Sequence, residues 1–241
     1  VLHKTRGIVL KTTPYAESSV VVQILTERFG IQAYLINGVK KAKAKINLNI
    51  LQPLHLLDLV VYHKNSGGLQ RISEARQVPL FHRIPYDIIK SSIALFLNEV
   101  IYKSIKQQEP DDALFEFLFN AICWLDTFEN TPVNFHLYFL LKLTKFLGFY
   151  PAPQKPKQQF FDLKEGVFTS YLPNHSLVLH EPHTSQWALI LASNLMDLPT
   201  VKIPNADRRI LLQKIVDFYQ LHLDTIGEIK SLDILEEVLA F

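Results

Sequence analysis

The 241-residue chain holds one cysteine, Cys123, and one methionine. A single thiol excludes an internal disulfide framework and a multi-cysteine zinc site, and it fits a reducing compartment. Long apolar runs are missing as well, since none approaches the roughly 20 residues that a membrane-spanning helix needs. The opening Val1-Leu2-His3-Lys4-Thr5-Arg6 meets charge, then a glycine, before a signal-peptide core could form. No secretion signal and no membrane partner are expected. Catalytic signatures are lacking too: there is no glycine-rich phosphate loop, no dinucleotide fingerprint, and Ser18-Ser19 has no nucleophile-elbow context. Glu17 reads as a local cap or ion-pair partner, Cys123 as an inert core thiol, and Asp111-Asp112 and Glu236-Glu237 as helix-terminal or solvated carboxylates. The expectation is a non-enzyme with no catalytic residue, no metal and no cofactor.

Acids are scarce at the front of the chain. Residues 1–80 carry eleven Lys/Arg against four Asp/Glu, a net +7, while residues 81–241 carry fourteen against nineteen, a net −5. Opposite charge on two halves implies two modules with different partners, the first suited to a polyanion. Hydrophobic residues at 48% and charged residues at 20% are ample for a buried core.

Up to about residue 78, short apolar runs alternate with turn residues. Strands are predicted over 7–11, 19–26, 31–36, 53–62 and 69–76, with Glu27-Arg28-Phe29-Gly30 as a hairpin turn. Five strands with a longer third connection fit an OB-fold, with an SH3-like barrel as the structural competitor. After Pro79 the period changes to about 3.6. Helices are predicted over 86–108, 113–127, from Thr131-Pro132 to a cap at Gly148, over 185–195, over 205–222 with Asn205 as N-cap, and over 231–239. Residues 151–183 hold five prolines and a small hairpin pairing 159–163 with 166–168. The fold class is α+β in two modules, divided as a barrel (1–79), a helical domain (80–150 and 184–241) and an irregular insertion (151–183).

The sharpest local feature is Lys40-Lys41-Ala42-Lys43-Ala44-Lys45, four ammonium groups in six residues after the third strand. Lysines so grouped neutralise phosphates and release counterions, whatever the base sequence. Arg6, Lys11, Arg28, Lys64, Arg71 and Arg76 are further DNA-contact candidates. Stacking platforms are few, namely Tyr15, Phe29, Tyr34 and Tyr62 with no tryptophan, so affinity should be dominated by charge.

Several segments resemble the RecO family of bacterial recombination mediators. They are Gly7-Ile8-Val9-Leu10-Lys11-Thr12, Tyr15-Ala16-Glu17-Ser18-Ser19, Leu25-Thr26-Glu27-Arg28-Phe29-Gly30, Asn37-Gly38-Val39-Lys40-Lys41 and Leu51-Gln52-Pro53-Leu54. Later come Leu147-Gly148-Phe149-Tyr150-Pro151 and Phe218-Tyr219-Gln220-Leu221-His222-Leu223, so the likeness spreads over most of the chain. It implies a cytoplasmic, nucleoid-associated bacterial protein that binds single- and double-stranded DNA and anneals single strands. It also implies partnership with RecR, with the C-terminal tail of the single-stranded DNA-binding protein SSB and, indirectly, with RecA. For that tail, Lys142, Lys145 and Phe149 are the candidate partner-binding residues. An adaptor with little intrinsic DNA affinity is the alternative. Many family members carry a four-cysteine zinc site after the Gly-Phe turn. Here the segment has no cysteine, only His175, His180 and His183, so a degenerate zinc ribbon held by aromatic packing is expected.

Overall fold

The computed structural model describes residues 1–106 and 108–240. Its first five strands are β1 (Leu2–Ala16), β2 (Ser19–Thr26), β3 (Gly30–Ile36), β4 (Leu56–Tyr62) and β5 (Gln70–Gln77), closed in the order β1-β2-β3-β5-β4. This is the OB-fold arrangement. Strand β1 is longer than its apolar run suggested because it serves two partners in turn: Leu2–Ile8 pairs with β4, and Gly7–Ala16 pairs with β2. Pro14 lies beyond the end of the β4 pairing, where β1 has only β2 as a neighbour. Leu10 is the extra residue at a register shift in β1, and its carbonyl accepts from Asn98 Nδ2 at 2.9 Å.

The barrel core follows from period-2 alternation. Val20, Val22 and Ile24 on β2 meet Tyr34 and Ile36 on β3 and Leu57, Leu59 and Val61 on β4. The β2–β3 turn is closed by the buried Thr26, whose hydroxyl donates to the Gly30 carbonyl (2.8 Å) and accepts from the Phe29 N–H (3.1 Å). Antiparallel pairing holds the barrel everywhere except at one seam. There β3 and β5 run parallel and pair only through Tyr34–Gln70 and Leu35–Arg71.

Helices α1 (Ile88–Ser104) and α2 (Asp112–Thr127) follow. The first starts two residues later than its periodicity predicts, because Asp87 caps it by accepting from the N–H groups of Ile89 and Lys90. Asp126, buried near the end of α2, accepts from the backbone N–H groups of His82, Arg83 and Ile84 at 2.9–3.1 Å and fixes the link into α1. The chain accordingly clusters into two compact units, Val1–Thr127 and Phe128–Phe241, with α1 and α2 grouped with the barrel.

The second unit is built on α3 (Phe135–Leu147), which is buried almost all round and capped by Gly148 at φ 91°. Helices α4 (His183–Ala192), α5 (Asn205–His222) and α6 (Leu232–Val238) complete it. Tyr219 of α5 donates to the Leu140 carbonyl of α3 at 2.6 Å. Asn205 opens α5 as its first helical residue and not as a side-chain N-cap; its Oδ1 accepts from Arg208. The expected hairpin is present as β6 (Phe160–Asp162) and β7 (Val167–Thr169), joined by a third strand, β8 (Val178–Leu179), too short to show as alternation. Phe161 of β6 packs against Phe168 at 4.8 Å, Trp187 at 4.9 Å and Phe218 at 5.7 Å between ring centroids. Among the described residues, no helix is long and apolar enough to cross a membrane.

Candidate nucleic-acid interface

The lysine segment is held from both ends. Val39 and Ile46 are buried in the barrel core, and the Val39 N–H donates to the Ser18 carbonyl at the β1–β2 turn. Between these anchors, turns closed by Lys41 N–H to the Gly38 carbonyl and Ala44 N–H to the Lys41 carbonyl throw Lys40, Lys41, Lys43 and Lys45 outward. All four are exposed, and none makes an ion pair among the described residues. Anchored backbone with free ammonium groups is what phosphate contact requires: the position is fixed, and the side chains adapt.

The other cations divide into two groups. Arg6 is consumed inside its own unit. It forms a two-pronged ion pair with Glu27 (3.0 and 2.7 Å), bonds Glu116 of α2, and lies over the rings of Phe115 and Phe119. The Glu27 hydrogen bond leads in holding its guanidinium pKa above the ordinary value, and the Glu27 carboxyl pKa is lowered in return. Arg6 is therefore a brace between the barrel and α2, with its guanidinium already committed to two carboxylates. Arg76 stands opposite Asp58, which also stands opposite Arg6, and Arg71 stands opposite Tyr62. Lys4, Arg6, Glu27, Asp58, Glu74 and Arg76 form a patchwork of both signs around a groove of about 420 Å³ on the β1-β4-β5 face. Like-for-like compensation in such rows weakens the pull on a polyanion. Arg71 and Arg76 are both exposed.

Lys11 and Arg28 belong to the second group. Arg28 lines a cleft of about 980 Å³ within the first unit, and Lys11 reaches Tyr102 on its wall. One wall is Ile31, Gln32 and Ala33, the half of β3 that β5 leaves unpaired. Opposite lies the β4–β5 connection, His63 to Leu69, and a third wall is the end of α1 with Tyr102, Ile105 and Lys106, continued by Gln108–Pro110. The walls meet because Gly30, at φ 61°, lets the 108–109 backbone approach closely; a Cβ there would lie 2.4 Å from the Gln108 carbonyl oxygen. Phe29 and His63 stack in the cleft at 4.0 Å and 13° between planes, and His3 meets Phe29 edge-on at 5.4 Å. The Tyr102 ring receives Lys11 at 4.8 Å and Lys106 at 5.1 Å. Strands 2–3 and the loop between strands 4 and 5 form the usual ligand face of this barrel class, so the cleft is in the expected place. His63, Tyr102 and Lys106 were missed in the sequence, since only the fold brings them beside β3. Tyr34, weighed as a platform, is fully buried in the core, whereas Tyr62 is exposed.

The three residues proposed for a protein tail do not form a free site. Lys142 donates to the Leu191 carbonyl at 2.6 Å, satisfying an end of α4, and burial lowers its ammonium pKa. Phe149 stacks on His222 at 5.1 Å and meets Phe218 and Tyr219 edge-on. Only Lys145 projects as an exposed cation. The histidines of the 151–183 region and its border do not fit a zinc site either. His175 pairs with Asp162 at 3.2 Å, His180 abuts Phe160, and His183 lies 3.5 Å from Asp207. No group of three or more potential ligands converges among the described residues. Tetrahedral zinc asks for four.

Comparison with known proteins adds to this geometry. Residues 1–81 match the family model described as recombination protein O N terminal, and residues 85–233 match that described as recombination protein O C terminal. Proteins named DNA repair protein RecO are similar along nearly their whole length. That of Flavobacterium johnsoniae is 36% identical over 243 residues, covering 98% of each chain. That of Flavobacterium psychrophilum is 35% identical over 236 residues, again 98% of each. The Porphyromonas gingivalis protein is 32% identical over 237 residues, 96% of each.

Proposed function

The chain belongs to the RecO family, and on that premise we propose that it is a DNA repair and recombination protein that binds DNA through its barrel without catalysing turnover. The observation that carries this reading is the lysine segment: four exposed ammonium groups, without an ion pair among the described residues, on a backbone anchored at Val39 and Ile46. Charge so presented binds the phosphodiester chain irrespective of sequence, and that suits a protein acting wherever DNA is damaged.

Bringing two strands to one basic surface screens their mutual repulsion, which supports annealing of complementary single strands. Family membership supports the remaining steps: work with RecR, contact with the C-terminal tail of SSB, and delivery of RecA to SSB-coated DNA in a bacterial cytoplasm. The exposed Lys145 is what remains of the proposed tail contact, since Lys142 and Phe149 are committed to internal packing.

Fluorescence anisotropy with a labelled oligo(dT) and a labelled duplex at moderate salt tests the central reading. Micromolar or tighter binding of both is expected. No binding of either would leave a protein-interaction adaptor. Gel filtration with RecR and titration with the SSB-tail peptide test the partner assignments separately.

A further inference from the structure

Residues 81–241 carry fourteen basic against nineteen acidic side chains, yet the small sheet of the second unit ends in a patch of the opposite sign. Between Glu129 and Asp162 the sequence holds no acid, and the exposed Lys155 and Lys157 lead directly into β6. Register fixes what lies beside them. Phe160 opens β6 opposite Thr169, the last residue of β7. On its other side, the pairing of Phe161 with Leu179 brings His180 edge-on to Phe160 at 5.4 Å. One end of the sheet therefore gathers Lys155, Lys157, Phe160, His180 and, two residues past Thr169, Tyr171.

Side chains tie down the backbone that presents these groups. Gln158 fastens the lysine turn to β7: its Nε2 donates to the Phe168 carbonyl at 2.8 Å, and its Oε1 accepts from the Lys155 N–H at 2.6 Å. Gln154 Nε2 closes the same turn on the Gln158 carbonyl at 2.6 Å. After β7, the Thr169 hydroxyl accepts from the Tyr171 N–H at 3.1 Å. The Tyr171 ring held there is 84% exposed and has no ring or cation partner among the described residues. The neighbouring carboxylates are already engaged. Asp162 is buried, accepts from the N–H groups of Lys164 and Glu165, and pairs with His175 at 3.2 Å. Glu181 accepts from the N–H and hydroxyl of Ser185 in α4. Glu165 lies in the β6–β7 turn at the opposite end of the sheet. Neither Lys155 nor Lys157 makes an ion pair among the described residues. Free cations beside a bare, fixed ring match an unpaired nucleotide, phosphate to ammonium and base face to ring. A paired base keeps its faces inside the stack, out of reach of such a ring. An acidic peptide would satisfy the lysines and leave the ring without a flat partner.

We infer that this end of the three-stranded sheet is a second nucleic-acid contact, on the second unit and not on the barrel, that takes unpaired nucleotides by stacking on Tyr171 and pairing phosphate with Lys155 and Lys157. The inference rests on the DNA-binding reading for its class of ligand and goes beyond it in giving the second unit a contact of its own. Two contacts in one chain allow two strands, or two parts of one strand, to be held at once.

Lysine acetylation of the full chain, read by mass spectrometry with and without oligo(dT), tests the site without substitution. Oligo(dT) should protect Lys155 and Lys157 as well as the 40–45 lysines, and an oligonucleotide carrying 5-iodouracil should crosslink to Tyr171 on irradiation. In the Lys40→Ala/Lys41→Ala/Lys43→Ala/Lys45→Ala background, adding Lys155→Ala/Lys157→Ala/Tyr171→Ala should lower the residual oligo(dT) affinity about tenfold further. Those three side chains are exposed, so folding is not at stake. The inference is overturned if oligo(dT) protects only the barrel lysines, if Tyr171 forms no adduct, or if the added substitutions leave affinity unchanged. The DNA-binding reading survives each of those results. Protection of Lys155 and Lys157 by an oligoglutamate peptide and not by oligo(dT) overturns the inference in favour of an acidic protein partner. Failure of wild type to bind any DNA sinks both readings.

Discussion

Replacing Lys40, Lys41, Lys43 and Lys45 together by alanine isolates the electrostatic part of DNA binding. Each lysine that neutralises a phosphate of a single strand adds about 0.7 to the slope of log affinity against log salt. Four exposed lysines, none tied to a carboxylate among the described residues, therefore contribute about 3. Raising salt fourfold, from about 50 to 200 mM, should cost wild type roughly fiftyfold more affinity than it costs the variant. Stability is a separate readout. Val39 and Ile46 are untouched, and exposed substitutions usually change stability by no more than about 0.5 kcal/mol, so the thermal midpoint should hold. The assay is anisotropy of a labelled oligo(dT) across a salt series. A variant that binds more weakly but keeps the wild-type slope would refute the reasoning, because the lost contacts would then not be ionic.

Arg6→Ala supplies the contrasting case. It should leave the salt slope unchanged and destabilise the protein by about 1–2 kcal/mol in urea unfolding, since it breaks the brace to Glu27 and Glu116 and uncovers Phe115 and Phe119. Asp126→Ala should cost about 3 kcal/mol by leaving the N–H groups of His82, Arg83 and Ile84 unpaired. Burial raises the Asp126 carboxyl pKa, but those three donors outweigh burial and hold it below its ordinary value. Its folded pKa is the lower one, so its contribution is present above pH ~4 and is lost as pH falls further. Unfolding titrations of wild type and an Asp126→Asn variant would show that difference shrinking in acid. His136, fully buried in α3, is pushed down to about 3 by burial, with Arg208 adding to the shift. The unfolded chain therefore takes up a proton there near pH 6.5 and the folded chain does not. Stability should fall by up to about 1.4 kcal/mol per pH unit between pH 6 and 4, and His136→Leu should flatten that slope. Equal slopes for the two proteins would reject the assignment.

Most of the architecture was legible because its causes are local. The β-branched run 19–26 is β2 to the residue, the 205–222 periodicity is α5, and Gly148 ends α3, since alternation, helical spacing and a left-handed cap are all written within a few residues. The lysine segment was legible for the same reason. What escaped depends on tertiary pairing. Arg6 looks like any other cation in a basic strand, and nothing within twenty residues of it announces that Glu27 and Glu116 will close on it. Strand registers, not spacing, set Arg76 against Asp58 and so turn part of the net +7 inward on itself. The cleft is the extreme instance. It exists because β5 pairs with β3 for only two residues, leaving 31–33 uncovered, and because Gly30 lets the backbone at 108–109 approach closely enough to wall the gap. A short parallel seam leaves no trace in hydropathy, since Ile31 and Ala33 alternate just as paired residues would.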